Sequence, residues 1–214
     1  FTPQFGRQIS VVAAALVALG LLAAAATAYY WSPAYWRVGY QPQQPIEYSH
    51  ELHVEQLGID CRYCHTYVQE SGYANVPTSQ VCINCHGLKL GNIKATSAKL
   101  APLRAAHANG TPVPWVGIHE LADYAYFNHA VHIARGVGCV SCHGRVDQME
   151  KAWHVQPLSM AWCLDCHRHW ERHVRPTDEA TNMQWAVRLV TDPKLRQLQE
   201  ILIPYLKDKV GIKP

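Results

Sequence analysis

Apolar and polar positions along the chain fall into three regimes. Residues 9–30 (ISVVAAALVALGLLAAAATAYY) form an uncharged run of 22 residues. A helix of that length crosses a hydrocarbon core of about 30 Å. Arg7 precedes the run, and Tyr29, Tyr30, Trp31, Tyr35 and Trp36 close it as an interfacial aromatic belt does. The pattern predicts a single-pass anchor within residues 1–40, retained although its alanine-rich end offers A-x-A-like cleavage sites. Arg7 places the amino terminus in the cytoplasm and the bulk of the chain outside a bacterial inner membrane. The anchor is rich in alanine, with Gly20 midway, and such a smooth face suits packing against other membrane helices.

The second regime, residues 41–176, holds no long helical or strand period. With 13 prolines and 13 glycines in the chain, a mostly α fold with extensive loops is expected. Residues 101–114 (APLRAAHANGTPVP) read as a connection between two halves, with His107 facing solvent. The third regime, residues 177–214, regains a helical period. Asp192-Pro193 reads as a cap with proline at the first helical position, and Leu195, Leu198, Ile201 or Leu202 and Tyr205 follow at helical spacing. Pro204 kinks or ends that helix, which is expected to be an amphipathic docking arm for a partner subunit.

Chemistry enters with the cysteines. All eight lie in four copies of Cys-x-x-Cys-His: Cys61/Cys64/His65, Cys82/Cys85/His86, Cys139/Cys142/His143 and Cys163/Cys166/His167. This is the attachment signature of c-type haem, in which two thiols take up the porphyrin vinyl groups and the histidine becomes the proximal iron ligand. Structural zinc and a disulfide framework also use paired cysteines. Neither requires a histidine after every pair, so the fourfold histidine decides for four covalent haems c. Thioether attachment takes place outside the bacterial cytoplasm, which puts the folded domain on the periplasmic or outer side.

The distal ligands are sought in a repeat. Tyr48-Ser49-His50-Glu51-Leu52-His53 leads into Cys61, and Phe127-Asn128-His129-Ala130-Val131-His132 leads into Cys139. Both read aromatic-x-His-x-x-His, then a glycine-containing stretch, then Cys-x-x-Cys-His. A duplicated dihaem unit follows, with repeat one near 46–100 and repeat two near 115–176. Histidines three apart share a helix face but point to different places, so each pair can reach two irons. His50, His53, His129 and His132 are the expected distal ligands, and His119 is a candidate in place of one of them. His154, His169 and His173 are expected at the surface, and Met160 against a porphyrin face.

Charge narrows the partners. The formal net charge is +3 with no lysine or arginine stripe, and haem propionates would make the holo-protein acidic. No nucleic-acid partner is expected.

The paired histidines and Cys-x-x-Cys-His elements resemble class III multihaem cytochromes c. Over about residues 46–176 the strings IDCRYCH, VPTSQVCINCHG, PWVGIHEL, DYAYFNHAVH, GVGCVSCHGRV and PLSMAWCLDCHR are similar to the multihaem cytochrome subunit (ActA) of bacterial alternative complex III. That resemblance implies a subunit of a respiratory or photosynthetic quinol:electron-acceptor oxidoreductase. Membrane subunits and an iron–sulfur protein handle quinol there, and a monohaem cytochrome subunit and a soluble acceptor take the electrons. His50, His53, His119, His129 and His132 lie in its matching strings. The family subunit is described as pentahaem, whereas this chain has cysteines for four haems. The competing reading is a standalone quinol dehydrogenase of the NapC/NirT group. The alanine-rich anchor, the long gap before Cys61 and the twofold repeat argue against it. A small-molecule reductase needs an open iron, which so many spare histidines disfavour.

Overall fold

The computed structural model describes residues 2–89 and 91–185, and the single positions 193, 194, 197, 200, 201 and 204. Most of the docking helix expected over 192–205 therefore lies outside the described residues, and its six described positions are helical. Among the described residues there is no strand, only one isolated antiparallel bridge between Val137 and Val174.

Helix α1 spans Pro3–Tyr30 and buries none of its residues. At 1.5 Å per residue its 28 residues extend about 42 Å. Thr2 caps it by accepting a bond from the Phe5 amide, and Pro3 opens it where a missing N–H costs nothing. Uniform alanine and leucine propensity keeps it helical without tertiary support. An aromatic knot of Tyr29, Tyr30, Tyr35 and Trp36 closes it. One helix of this kind is a weak sign of a single-pass anchor by length and composition.

The segment after α1 is strapped to the body. Arg37 pairs with Glu120. The Gly39 amide donates to the His154 carbonyl at 2.7 Å, and the His154 amide donates to Tyr40 at 3.0 Å. The Gln44 side chain both donates to the Val116 carbonyl and accepts from the Val116 amide, each at 2.9 Å. Two loops, 116–120 and 151–154, are thereby drawn under residues 37–44.

The body is short helices on long loops: α2 (Cys61–Cys64), α3 (Ser79–His86), α4 (Ala101–Ala108), α5 (His129–Ala134), α6 (Cys139–His143) and α7 (Met160–Arg168), with a π-helical turn at Glu51–Gln56. Its apolar core is thin. One cluster holds Ile46, Leu103, Ala106 and Val113, and another holds Val68, Ile133 and Ala180.

Three local expectations change. Residues 101–108 are not a linker but helix α4, started by proline in its first turn and packed on α3 through Leu103 and Ala106. His107 on that helix is half-buried, with its Nδ1 3.5 Å from Ser79 Oγ, rather than facing solvent. The packed body also continues past Pro176, because Ala180, Met183 and Trp185 are buried.

A loop from Arg175 to Trp185 clasps the run into α6. The Arg175 amide donates to the Gly136 carbonyl at 2.8 Å and the Cys139 amide donates to Ala180 at 3.1 Å. Gly136 is required here: its φ is +77° and a Cβ would stand 2.0 Å from the Arg175 carbonyl oxygen. Gly136→Ala should destabilise the protein by at least about 2 kcal/mol, from left-handed backbone strain plus overpacking. A thermal melt of the holo-protein checks this, and an unchanged midpoint would show that the clasp yields freely.

Candidate functional site

Each Cys-x-x-Cys-His element sits on a helical turn. The two cysteines, three apart, share one face, and the histidine follows one turn after the first cysteine. Asp60 caps α2 by accepting from the Arg62 amide at 2.8 Å, and Ser159 caps α7 by accepting from the Trp162 amide. All eight thiols are free and part-buried. Burial pushes the Cys61 and Cys142 thiols up to about 12, and raises those of Cys64, Cys82, Cys139, Cys163 and Cys166. Among the described residues no three His, Cys, Asp or Glu side chains converge as a tetrahedral zinc site demands.

The imidazoles share one arrangement. His65 donates its Nδ1–H to the Asn75 carbonyl at 2.6 Å, and His86 donates to the Ile93 carbonyl at 2.6 Å. Asn75 takes a left-handed φ of 55°, a conformation asparagine tolerates, and so turns its carbonyl toward the ring. Among the expected distal residues, His129 donates to Gly72 at 2.8 Å, His53 to Ser49 at 2.8 Å and His132 to Asn128 at 2.8 Å. A backbone acceptor on Nδ1 fixes the tautomer and leaves the Nε2 lone pair to bind a metal.

The repeat is visible in these contacts. His53 stacks on Tyr48 at 4.5 Å, and His132 stacks on Phe127 at 4.4 Å. The same two aromatics meet His50 and His129 edge-on, at 4.9 and 4.8 Å. Ser49 accepts from the amide of Leu52, as Asn128 accepts from that of Val131. The helix expected around His129 and His132 is α5, whereas His50 and His53 enter the π-helical turn.

Facing pairs follow. His53 lies opposite His86 with ring centroids 6.2 Å apart and planes at 68°, and His132 lies opposite His167 at 6.1 Å and 67°. His129 faces His143 at 6.4 Å with nearly parallel rings. Two imidazoles bound through Nε2 on opposite sides of one metal, each at about 2 Å, have centroids about 6 Å apart. The donor set therefore fits bis-histidine haem. Thiols for the porphyrin edge, a fixed tautomer and a thin apolar core agree with it.

His50 is half-buried beside His65. Burial and then His65, His53 and His119 depress its pKa to about 4, and its Nδ1 has no hydrogen-bond partner. His143 is pushed down to about 3 by burial, then by His119, His129, His65 and His50. Its Nδ1 lies 3.3 Å from His119 Nε2, so this ring leans on an imidazole rather than on a carbonyl. His119 is depressed to about 4 by burial and by His154 and His129.

His154 is a correction. Expected at the surface, it is 1% exposed and 5.3 Å from the His119 ring, with the backbone of Ile118 and Gln156 against its imidazole. The pairing with Gly39 and Tyr40 pulls it inside, a long-range contact with no local signature. His169 and His173 remain part-exposed, and Met160 is 39% exposed at the start of α7.

No family model matches the chain. Over 160 residues, 65% of this chain and 74% of the relative, it is 27% identical to the menaquinone reductase multiheme cytochrome c subunit of Nitratidesulfovibrio vulgaris (strain Hildenborough). Over 124 residues, 58% of this chain and 75% of the relative, it is 24% identical to the acrylate reductase cytochrome subunit of Shewanella woodyi. The likeness is thus to multihaem cytochrome c subunits as a group and singles out no alternative complex III protein.

Proposed function

We propose that this chain is an electron-carrying subunit of a membrane quinone oxidoreductase, built on four covalently attached haems c. The observation that carries the reading is the repeated set of facing imidazoles, His53/His86 and His132/His167, with His129/His143 beside them. Haem c, when bound, supplies one-electron redox chemistry.

The chain's own residues attach, orient and shield. Cys61, Cys64, Cys82, Cys85, Cys139, Cys142, Cys163 and Cys166 hold the porphyrins. His65, His86, His143 and His167 are the proximal ligands. His53, His132 and His129 are distal to His86, His167 and His143, and His50 is assigned to His65, the one Cys-x-x-Cys-His histidine that remains. Because His50 and His53 serve different sites, as do His129 and His132, each short turn fixes the spacing of two neighbouring irons. His119 takes up the Nδ1 of His143 and is assigned as its orienting partner. The imidazoles whose pKa values burial lowers stay neutral at ordinary pH, the form that ligation needs.

The relatives named as reductase cytochrome subunits support a place in a quinone oxidoreductase complex. The exposed α1 supports a single-pass anchor in the inner membrane, with the haem domain on the periplasmic side. The finer reading is an alternative complex III-like assembly. Quinol is oxidised at its membrane and iron–sulfur subunits, and electrons pass through this chain towards a monohaem subunit and a soluble acceptor. The alternative is a standalone NapC/NirT-like quinol dehydrogenase.

Three measurements test these readings. Pyridine haemochrome analysis with intact mass should give four haems per chain, and a mass equal to that of the bare polypeptide ends the proposal. His129→Ala should convert one of four low-spin centres to a carbon-monoxide-binding high-spin one, seen by electron paramagnetic resonance and optical titration. An unaltered spectrum removes His129 from the ligand set. The purified chain, fully loaded with haem, should fail to oxidise a menaquinol analogue that the intact complex oxidises, and turnover by the isolated chain would favour the dehydrogenase reading.

A further inference from the structure

The two repeats differ in charge where their first attachment sites begin. Ahead of Cys61 stands Asp60, whose carboxylate is neutralised by a two-point contact with Arg62 at 2.8 and 2.9 Å. Ahead of Cys139 stands Gly138, with no side chain. The Arg175 guanidinium fills that space: a Cβ on Gly138 would lie 2.1 Å from its Cζ.

Arg175 is 4% exposed and its Nε has no hydrogen-bond partner. Nη1 donates to the Asn182 carbonyl at 3.1 Å, and the guanidinium lies over the buried Trp185 ring at 6.0 Å. Among the described residues Arg175 makes no salt bridge. The carboxylate whose field reaches it, Glu179, accepts a 2.6 Å bond from Asn182. Burial lowers the Arg175 pKa, yet an arginine stays charged at any ordinary pH. Site one thus begins with a neutral ion pair, and site three, which the same Asp60–Arg62 pair also borders, adds the buried Arg175 cation.

We propose that Arg175 is a potential-setting residue that makes the haem carried at Cys139/Cys142 a higher-potential centre than its repeat counterpart at Cys61/Cys64. This rests on the haem reading above. Adding an electron to ferric haem lowers the charge of the site by one, and a nearby buried cation favours that step. With Arg175 only 4% exposed, solvent screens its charge poorly. The two sites also differ in the partner of the imidazole, His119 for His143 and the Asn75 carbonyl for His65, and the cation adds a bias of fixed sign, toward the higher potential at the second.

The test is a spectroelectrochemical titration of the full-length holo-protein. Arg175→Met and Arg175→Gln should lower one of the four midpoints. The ratio of oxidised to reduced centre should rise at least tenfold at fixed potential, about 59 mV for one electron. Arg175→Lys, which keeps the charge but loses the fork, should leave that midpoint near the wild-type value. A structural role would disturb haem content alike in all three, and equal midpoints with intact haem content overturn the proposal. If neither neutral variant accumulates, pairwise removal of the thiols decides. The component lost in Cys139→Ala/Cys142→Ala must lie at higher potential than the one lost in Cys61→Ala/Cys64→Ala, and the reverse order overturns the proposal. Absence of haem from the wild-type chain would sink the functional reading itself, a result distinct from unmoved midpoints.

Discussion

A hydrogen bond from imidazole Nδ1 to a main-chain carbonyl is the interaction on which this architecture turns. It is made at five of the paired or proximal histidines, from segments as different as a left-handed asparagine, a glycine loop and the preceding turn of the same helix. Each such bond settles two questions at once. It removes the polar edge of the ring from competition, and it aims Nε2 into the space between helices. The stacking of Tyr48 and Phe127 on the second histidine of each pair removes the remaining rotation. A small chain with little apolar core cannot hold such rings by packing alone, so it holds them by their backbone partners.

The thin core has a further consequence. With buried apolar side chains confined to small clusters, folding must draw on something beyond ordinary hydrophobic collapse. Covalent porphyrin faces would supply it, since each buries a large flat apolar surface. Many contacts that do exist are clasps rather than layers. Residues 37–44 tie the post-anchor segment to loops 116–120 and 151–154, and residues 175–185 tie the run into α6 to the base of α2 through Thr181 and Asp60. The first clasp fixes the imidazole region relative to the end of α1.

What could be read from the sequence, and what could not, divides along the same line. The Cys-x-x-Cys-His turns, the apolar anchor and the aromatic-x-His-x-x-His repeat are local patterns, and each places its residues on one short element. The role of the leading aromatic was visible only once Tyr48 and Phe127 were seen to lie on their own rings. His154 was misplaced because its burial comes from pairing with residues over a hundred positions away. Residues 101–108 were misread as a linker because their proline and alanine content suits a loop as well as the first turn of a helix. The stretch beyond Pro176 lacks haem motifs, yet it supplies Ala180, Met183 and Trp185 to the interior. Each miss concerns a long-range contact, or a choice between local states that only packing makes.

The likeness of the two aromatic-x-His-x-x-His turns makes the differences around them the more informative. Equivalent Tyr48 and Phe127 stacks, equivalent side-chain bonds from Ser49 and Asn128 and ring separations within 0.1 Å make the two distal turns counterparts, one π-helical and the other α-helical. Against that background His143 is the exception among the proximal histidines with a described Nδ1 partner: it leans on His119, not on a carbonyl. Its attachment site is also the one whose leading residue, Gly138, leaves room for the buried Arg175 guanidinium. Both departures fall on the same centre, the one nearest the clasp formed by residues 175–185. A wire of equal sites conducts equally in either direction. Changing the surroundings of one site while the scaffold of both is conserved is the least disruptive way to bias it, because the ligand geometry that sets electron-transfer distances is left untouched.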